Sequence, residues 1–189
     1  MPWPRVIEWS FESGALGRTR RVRERKLGQV VSQNELILRV AEEKRNGRRV
    51  IFTNGCFDLL HPGHVECLEK ARALGDVLVV GVNSDASVRG LKGGDRPLVP
   101  QDDRARVIAA LAAVDYVTIF DESTPRKLIA AVLPDVLVKG GDWAPDQIVG
   151  REEVEAAGGR VVSIPLAPGH STTKLIERIR NASKRQVSG

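Results

Sequence analysis

Two imidazoles stand three residues apart in the stretch Thr53-Asn54-Gly55-Cys56-Phe57-Asp58-Leu59-Leu60-His61-Pro62-Gly63-His64. Gly55 and Gly63 let backbone come close to a ligand, and Pro62 suits the first turn of a helix. At a helix start His61 and His64 face the same way. Free N–H groups and the positive end of the helix dipole favour phosphate at such a place. Two imidazoles add donors aimed at the same spot. The plainer alternative is a pair of histidines in a polar turn. Against it, all three histidines of the chain, His61, His64 and His170, fall in glycine-containing loops that follow apolar runs.

Three further loops carry matching chemistry. Lys92 and Arg96 lie in Leu91-Lys92-Gly93-Gly94-Asp95-Arg96-Pro97. A lysine on so mobile a loop can reach a phosphate, or simply be solvated. Lys139 ends an apolar run and is followed by Gly140, Gly141, Asp142 and Trp143; the glycines permit close approach by a base, and Trp143 either positions a ligand or packs in the core. Pro168-Gly169-His170-Ser171-Thr172-Thr173 opens the last helical stretch. Its hydroxyls and free N–H groups form a second anion site, or Ser171 merely caps the helix. Asn83 and Asp85 close another apolar run and either approach a ligand or cap the next helix.

These loops need a scaffold, and the sequence supplies a strand–helix alternation. A first helix follows Ser32, with Glu35 three residues on as in a capping box, and Gly47 ends it. Strands are expected at 50–53, 76–82, 116–120, 136–139 and 160–164. Helices are expected at 65–74, 84–91, 102–112, 124–133, 149–157 and 172–179, with Pro134 stopping one of them. Asp76-Val77-Leu78-Val79-Val80-Gly81-Val82 is a continuous apolar run, as in a strand buried on both faces. The order predicts an α/β protein: a Rossmann-like, doubly wound parallel sheet of about five strands with an N-terminal helical extension. Ligands on such sheets bind beyond the carboxyl ends of the strands, where the loops above lie.

The chain has 189 residues, 42% of them hydrophobic and 28% charged, enough for one domain with a sizeable core. Aromatics make up only 4%, so aliphatic residues must fill that core. Residues 1–49 carry 12 Lys+Arg against 6 Asp+Glu; the remainder carries 17 against 18, so the net +5 belongs to the leading segment. Residues 1–31 read as a basic extension, 32–183 as the catalytic domain and 184–189 as a tail. No apolar run approaches the roughly 18 residues of a membrane span, and the N-terminus lacks the apolar stretch of a secretory signal. Cys56 and Cys67 read as plain thiols of a reducing compartment, so a cytoplasmic protein is expected.

Thr53-Asn54-Gly55-Cys56-Phe57-Asp58-Leu59-Leu60-His61-Pro62-Gly63-His64 resembles the signature of the cytidylyltransferase-like nucleotidyltransferases. From about residue 49 to 180 the chain resembles, more narrowly, bacterial D-glycero-β-D-manno-heptose 1-phosphate adenylyltransferases. The stretches G-V-N-S-D-A-S-V-R-G-L-K-G, R-P-L-V-P-Q-D-D-R, P-D-V-L-V-K-G-G-D-W and S-T-T-K-L-I-E-R-I carry that likeness. The resemblance implies transfer of AMP from ATP to the sugar 1-phosphate, with Mg²⁺ bridging substrate phosphates and no metal site of protein ligands. ADP-heptose, the implied product, feeds surface glycan assembly. His61, His64 and Lys92 are then the expected catalytic groups. Gly55, Cys56, Phe57, Gly63, Lys139, Gly140, Asp142, Ser171, Thr172 and Thr173 are expected at the nucleotide, and Asp58, Asn83, Asp85, Arg96, Arg104 and Trp143 at the acceptor. Arg104 matches an arginine of related cytidylyltransferases that either touches phosphate or braces the loop. Those relatives carry R-T-E-G-I-S-T-T where this chain has Leu166-Ala167-Pro168-Gly169-His170-Ser171-Thr172-Thr173; Leu166 stands in place of the arginine, which argues against a glycerol-phosphate or choline-phosphate acceptor. A homo-oligomer is expected, since dimers are common in the superfamily.

A rival of another class is an RNA-binding module using the arginine-rich leader. The leader has no aromatic residue interleaved with its arginine run, Trp3, Trp9 and Phe11 lying nearer the terminus, so neither nucleic acid nor membrane is an expected partner.

Overall fold

The computed structural model describes residues 27–141, 143–165 and 171–187. A six-stranded, wholly parallel sheet forms the centre: β1 (Gln29–Val30), β2 (Val50–Gly55), β3 (Val77–Asn83), β4 (Tyr116–Phe120), β5 (Val136–Gly140) and β6 (Arg160–Ile164), in the order β1-β4-β3-β2-β5-β6. The helices are α1 (Gln33–Arg45), α2 (Pro62–Arg72), α3 (Asp85–Lys92), α4 (Gln101–Ala109), α5 (Arg126–Val132), α6 (Arg151–Ala156) and α7 (Thr172–Val187), with a 3₁₀ turn at Pro145–Gln147.

The period-2 alternation of the strands divides the core in two. Val50, Phe52, Val77 and Val79 point to one face, where Leu36 and Val40 of α1, Leu128 and Ile129 of α5 and Val154 of α6 cover them. Ile51, Leu78, Val80 and Val82 point to the other, against Leu68 and Ala71 of α2 and Ala105 and Ile108 of α4. Both faces of β3 are thus buried along its whole length, which is why its sequence is an unbroken apolar run.

The amino rim of the sheet is closed by three aspartates, each immediately preceding a strand. Asp76, ahead of β3, accepts a hydrogen bond from the Arg49 N–H at 2.9 Å. Asp115, ahead of β4, accepts from Leu78 N–H at 2.8 Å, and Asp135, ahead of β5, from Val50 N–H at 2.7 Å. Each satisfies a backbone donor at the point where ladder pairing begins.

The sheet has one strand more than expected, and the addition lies in the leading segment. Gly28 N–H donates to Ala109 O, Gln29 N–H to Asp115 O and Val31 N–H to Val117 O, which fixes β1 beside β4. A Cβ on Gly28 would stand 2.6 Å from Val114 O and 2.8 Å from Ala109 O, so only glycine allows this approach. Ser32 caps α1 by accepting from Glu35 N–H at 3.2 Å, while the Glu35 carboxylate is held by Arg39 instead of closing the capping box. The last helix runs on to Val187, through the stretch read from sequence as a tail. Among the described residues no helix is long and apolar enough to cross a membrane.

Replacing Asp135 with alanine leaves the buried Val50 N–H without its acceptor. We expect a loss of about 1–3 kcal/mol, read as a lower urea midpoint with unchanged slope; an unmoved midpoint would show that the rim aspartates carry no weight.

Candidate active site

β2 and β5 lie side by side, and β2 is where the chain order of the sheet reverses. The loops leaving the carboxyl ends of the strands around that point hold the residues singled out above. Residues 56–61 connect β2 to α2. Gly55 gives the Phe57 ring room: a Cβ there would meet it at 3.0 Å, a tight contact. Phe57 itself takes a left-handed backbone, φ 48°, a cost that a packed loop must offset.

The fold-back of Phe57 brings its ring to 5.3 Å from that of His64. His61, at the cap of α2, and His64, in its first turn, stack with ring centroids 3.7 Å apart and planes 21° from parallel. The three-residue spacing thus puts both imidazoles on one face. His64 Nδ1 is buried and has no hydrogen-bond partner among the described residues. Burial, and then the neighbouring His61, lower the His64 pKa from 6.5 to about 4. At neutral pH His64 is therefore an uncharged ring able to donate one N–H, not a cation.

Beyond the carboxyl ends of β2, β3 and β5 opens a cleft of about 310 Å³. Gly55, Cys56, Asn83, Lys92, Lys139 and Trp143, all singled out from sequence, line it. Burial, and then repulsion from Lys92, lower the Lys139 pKa, while Cys56 raises it. Burial raises the Cys56 thiol pKa against the pull of Lys92, Arg104, Arg96 and Lys139, so it stays protonated at neutral pH. Trp143 is 46% exposed, so its role is not core packing. Its Nε1 donates to Gly140 O at 3.1 Å, and Lys139 Nζ stands 5.8 Å from the ring centroid.

The imidazole stack does not line this cleft; the two are joined through consecutive residues, Cys56 on the cleft and Phe57 on His64. The start of α7 is held to the same loop, with Thr172 Oγ1 donating to Leu59 O at 3.4 Å. Ser171 Oγ accepts from Lys174 N–H at 3.1 Å, the capping alternative read from sequence, and Thr173 is exposed. Gly63 is buried in the first turn of α2. Asp142, His170 and Leu166 lie outside the described residues.

Four residues expected at the acceptor hold loops together instead of lining the cleft. Asp58 is buried and accepts from Leu98 N–H at 2.8 Å, Val99 N–H at 2.9 Å and the Arg96 guanidinium, which pins the loop after α3. Arg104 is 1% exposed. Its guanidinium donates to Val99 O at 2.9 Å, to Asp85 Oδ1 at 2.8 Å and to Cys56 O. Of the two roles its position allows, this is the brace. Asn83 also serves the scaffold: its Nδ2 donates to Ser87 Oγ at 3.0 Å, and Ser87 Oγ donates to Glu122 O at 2.8 Å. Sequence reading missed Ser123, Thr124 and Gln147, which also line the cleft. The carboxyl-end rule points to the first two, directly after β4; Gln147 sits in an irregular turn without pattern.

The depressed His64 pKa fixes a pH dependence. The unfolded chain takes up this proton near pH 6.5 and the folded one only near 4, so stability falls as pH drops through that window. His64→Gln should flatten the acid limb of the urea midpoint between pH 6.5 and 4.5; an identical slope in both proteins would contradict the buried neutral ring.

Comparison with known proteins identifies the family. Residues 52–178 match the family model described as cytidylyltransferase-like. The bifunctional protein HldE of Geotalea uraniireducens (strain Rf4) is 58% identical over 144 residues, 76% of this chain and 29% of that protein. The bifunctional protein HldE of Koribacter versatilis (strain Ellin345) is 59% identical over 149 residues, 79% of this chain and 31% of that one. The chain thus spans about 30% of the length of these curated relatives. The crystal structure of the lipopolysaccharide core biosynthesis protein from Thermoplasma volcanium GSS1 matches with TM-score 0.53 and 28% identity, covering 64% of this chain and 98% of that one. With the family match extending from β2 into α7, the chain belongs to the cytidylyltransferase-like family of nucleotidyltransferases.

Proposed function

We propose that this chain transfers AMP from ATP to D-glycero-β-D-manno-heptose 1-phosphate, giving ADP-heptose and pyrophosphate. The observation that supports the reading is that the loop between β2 and α2 adjoins three features: the stacked His61 and His64, the cleft lined by Cys56, Lys92 and Lys139, and the start of α7 held at Leu59. The identity to proteins named bifunctional protein HldE and the likeness to a lipopolysaccharide core biosynthesis protein support the heptose acceptor.

A phosphate oxygen of the acceptor attacks the α-phosphorus of ATP, and the bond from that phosphorus to the bridging oxygen breaks in line, releasing pyrophosphate. The nucleophile is already ionised, so no strong base and no covalent intermediate are required. The protonated Cys56 thiol fits that absence of a protein nucleophile. The work of the site is to align two polyanions and to stabilise charge on the α-phosphoryl oxygens and the leaving group. His61 and His64 are assigned to the triphosphate as N–H donors, and Lys92 and Lys139 supply cations. The described residues hold no cluster of three or more His, Cys, Asp or Glu side chains able to grip a metal. Asp58 and Asp85 are held by arginines. A Mg²⁺ would enter with the nucleotide and add positive charge at its phosphates. The superfamily resemblance also leads us to propose a homo-oligomer, which sedimentation can test.

The family match favours one second reading, cytidylyl transfer. Pyrophosphate release should be fastest with ATP and heptose 1-phosphate; faster release with CTP and glycerol 3-phosphate would replace the proposal by that reading. His64→Ala should lower turnover on the order of 10²–10³-fold with the protein still folded by circular dichroism. Near-normal turnover of the folded variant would remove His64 from the machinery.

A further inference from the structure

Among the uncharged polar side chains that line the cleft, Ser123, Thr124 and Gln147 stand beyond β4 and β5, and neither the mechanism nor the scaffold gives them a role. No other described residue engages their hydroxyl and amide groups. They are nonetheless carried on fixed backbone. The segment bearing Ser123 and Thr124 is anchored on both sides, by the Asn83–Ser87–Glu122 hydrogen bonds before it and by buried Pro125 after it. Gln147 closes a turn in which its own N–H donates to Ala144 O at 2.9 Å, and buried Ile148 follows. Hydroxyls and an amide presented in this way are pre-organised for a partner that is not in the protein.

The remaining lining says what that partner is. Lys92 and Lys139 bring two ammonium groups, and no carboxylate lines the cleft among the described residues. Leu137, Ile148 and the exposed indole of Trp143 add apolar surface. Cations, uncharged donors and acceptors, and apolar walls together match a phosphorylated ring compound bearing several hydroxyls, with its C–H faces on the apolar side chains. Resting on the nucleotidyl-transfer reading above, we propose that Ser123, Thr124 and Gln147 read the hydroxyl groups of a sugar phosphate acceptor and so set acceptor specificity. A site built to hydrogen-bond a hydroxyl rejects an analogue lacking it because its own polar groups are left unpaired.

The test is steady-state pyrophosphate release by the full chain, with acceptor and ATP varied separately. Thr124→Val and Gln147→Leu should each raise the acceptor KM about tenfold, as expected for a lost hydrogen bond, and leave the ATP KM unchanged. Thr124→Ser, which keeps the hydroxyl, should restore the acceptor KM. Ser123 and Thr124 are exposed, so these changes remove no core packing. An unchanged acceptor KM, an equal rise in the ATP KM, or failure of Thr124→Ser to restore overturns the proposal. The acceptor panel separates it from the heptose assignment. Turnover on another sugar 1-phosphate but not on heptose 1-phosphate retires that assignment and supports hydroxyl reading, whereas turnover on glycerol 3-phosphate alone overturns both.

Discussion

The geometry of the site depends on one buried guanidinium. Arg104 is enclosed by protein, and all three of its nitrogens are used: one on Val99 O, one on Cys56 O, one on the Asp85 carboxylate. Those partners belong to the loop before α4, the loop after β2 and the start of α3, at 5, 48 and 19 residues from Arg104. A charge with no access to water stays in place only while each partner does, because a buried charge without its partner costs roughly 3–5 kcal/mol. Asp58 repeats the device in reverse sign, gathering Arg96 and two backbone N–H groups of the loop after α3. Between them the two residues hold still the loops that flank Lys92, leaving Lys92 itself free to meet a ligand.

The roles along each strand follow from this. The amino ends are sealed by aspartates that accept from neighbouring backbone. The carboxyl ends release the loops, in which Asp58 and Asp85 are paired with Arg96 and Arg104 while Lys92 and Lys139 line the cleft. With Lys92 and Lys139 and no carboxylate among its described lining, the cleft is electropositive and suited to anions.

How much of this was legible in the sequence can be judged from particular residues. The doubly buried β3 announces itself by an unbroken apolar run, and the H-x-G-H spacing implies a shared face, which the 3.7 Å stack bears out. β1 was illegible, since two residues have no periodicity and the strand exists only because Gly28 fits against Val114 and Ala109. Asp58, Asp85 and Arg104 were recognised as important but expected at the acceptor. A buried ion pair and a ligand-facing charge look alike in sequence, and the partners here are separated by 38 and 19 residues. Ser123, Thr124 and Gln147 were passed over because single hydroxyls and amides in irregular segments carry no pattern; only the closing of the cleft gives them meaning.

β1 has a topological consequence. It runs parallel to β4, with Gln29 bonded to Asp115 at the amino rim, on the side of the sheet opposite the cleft. The added edge strand therefore widens the sheet without contributing to the lining of the pocket.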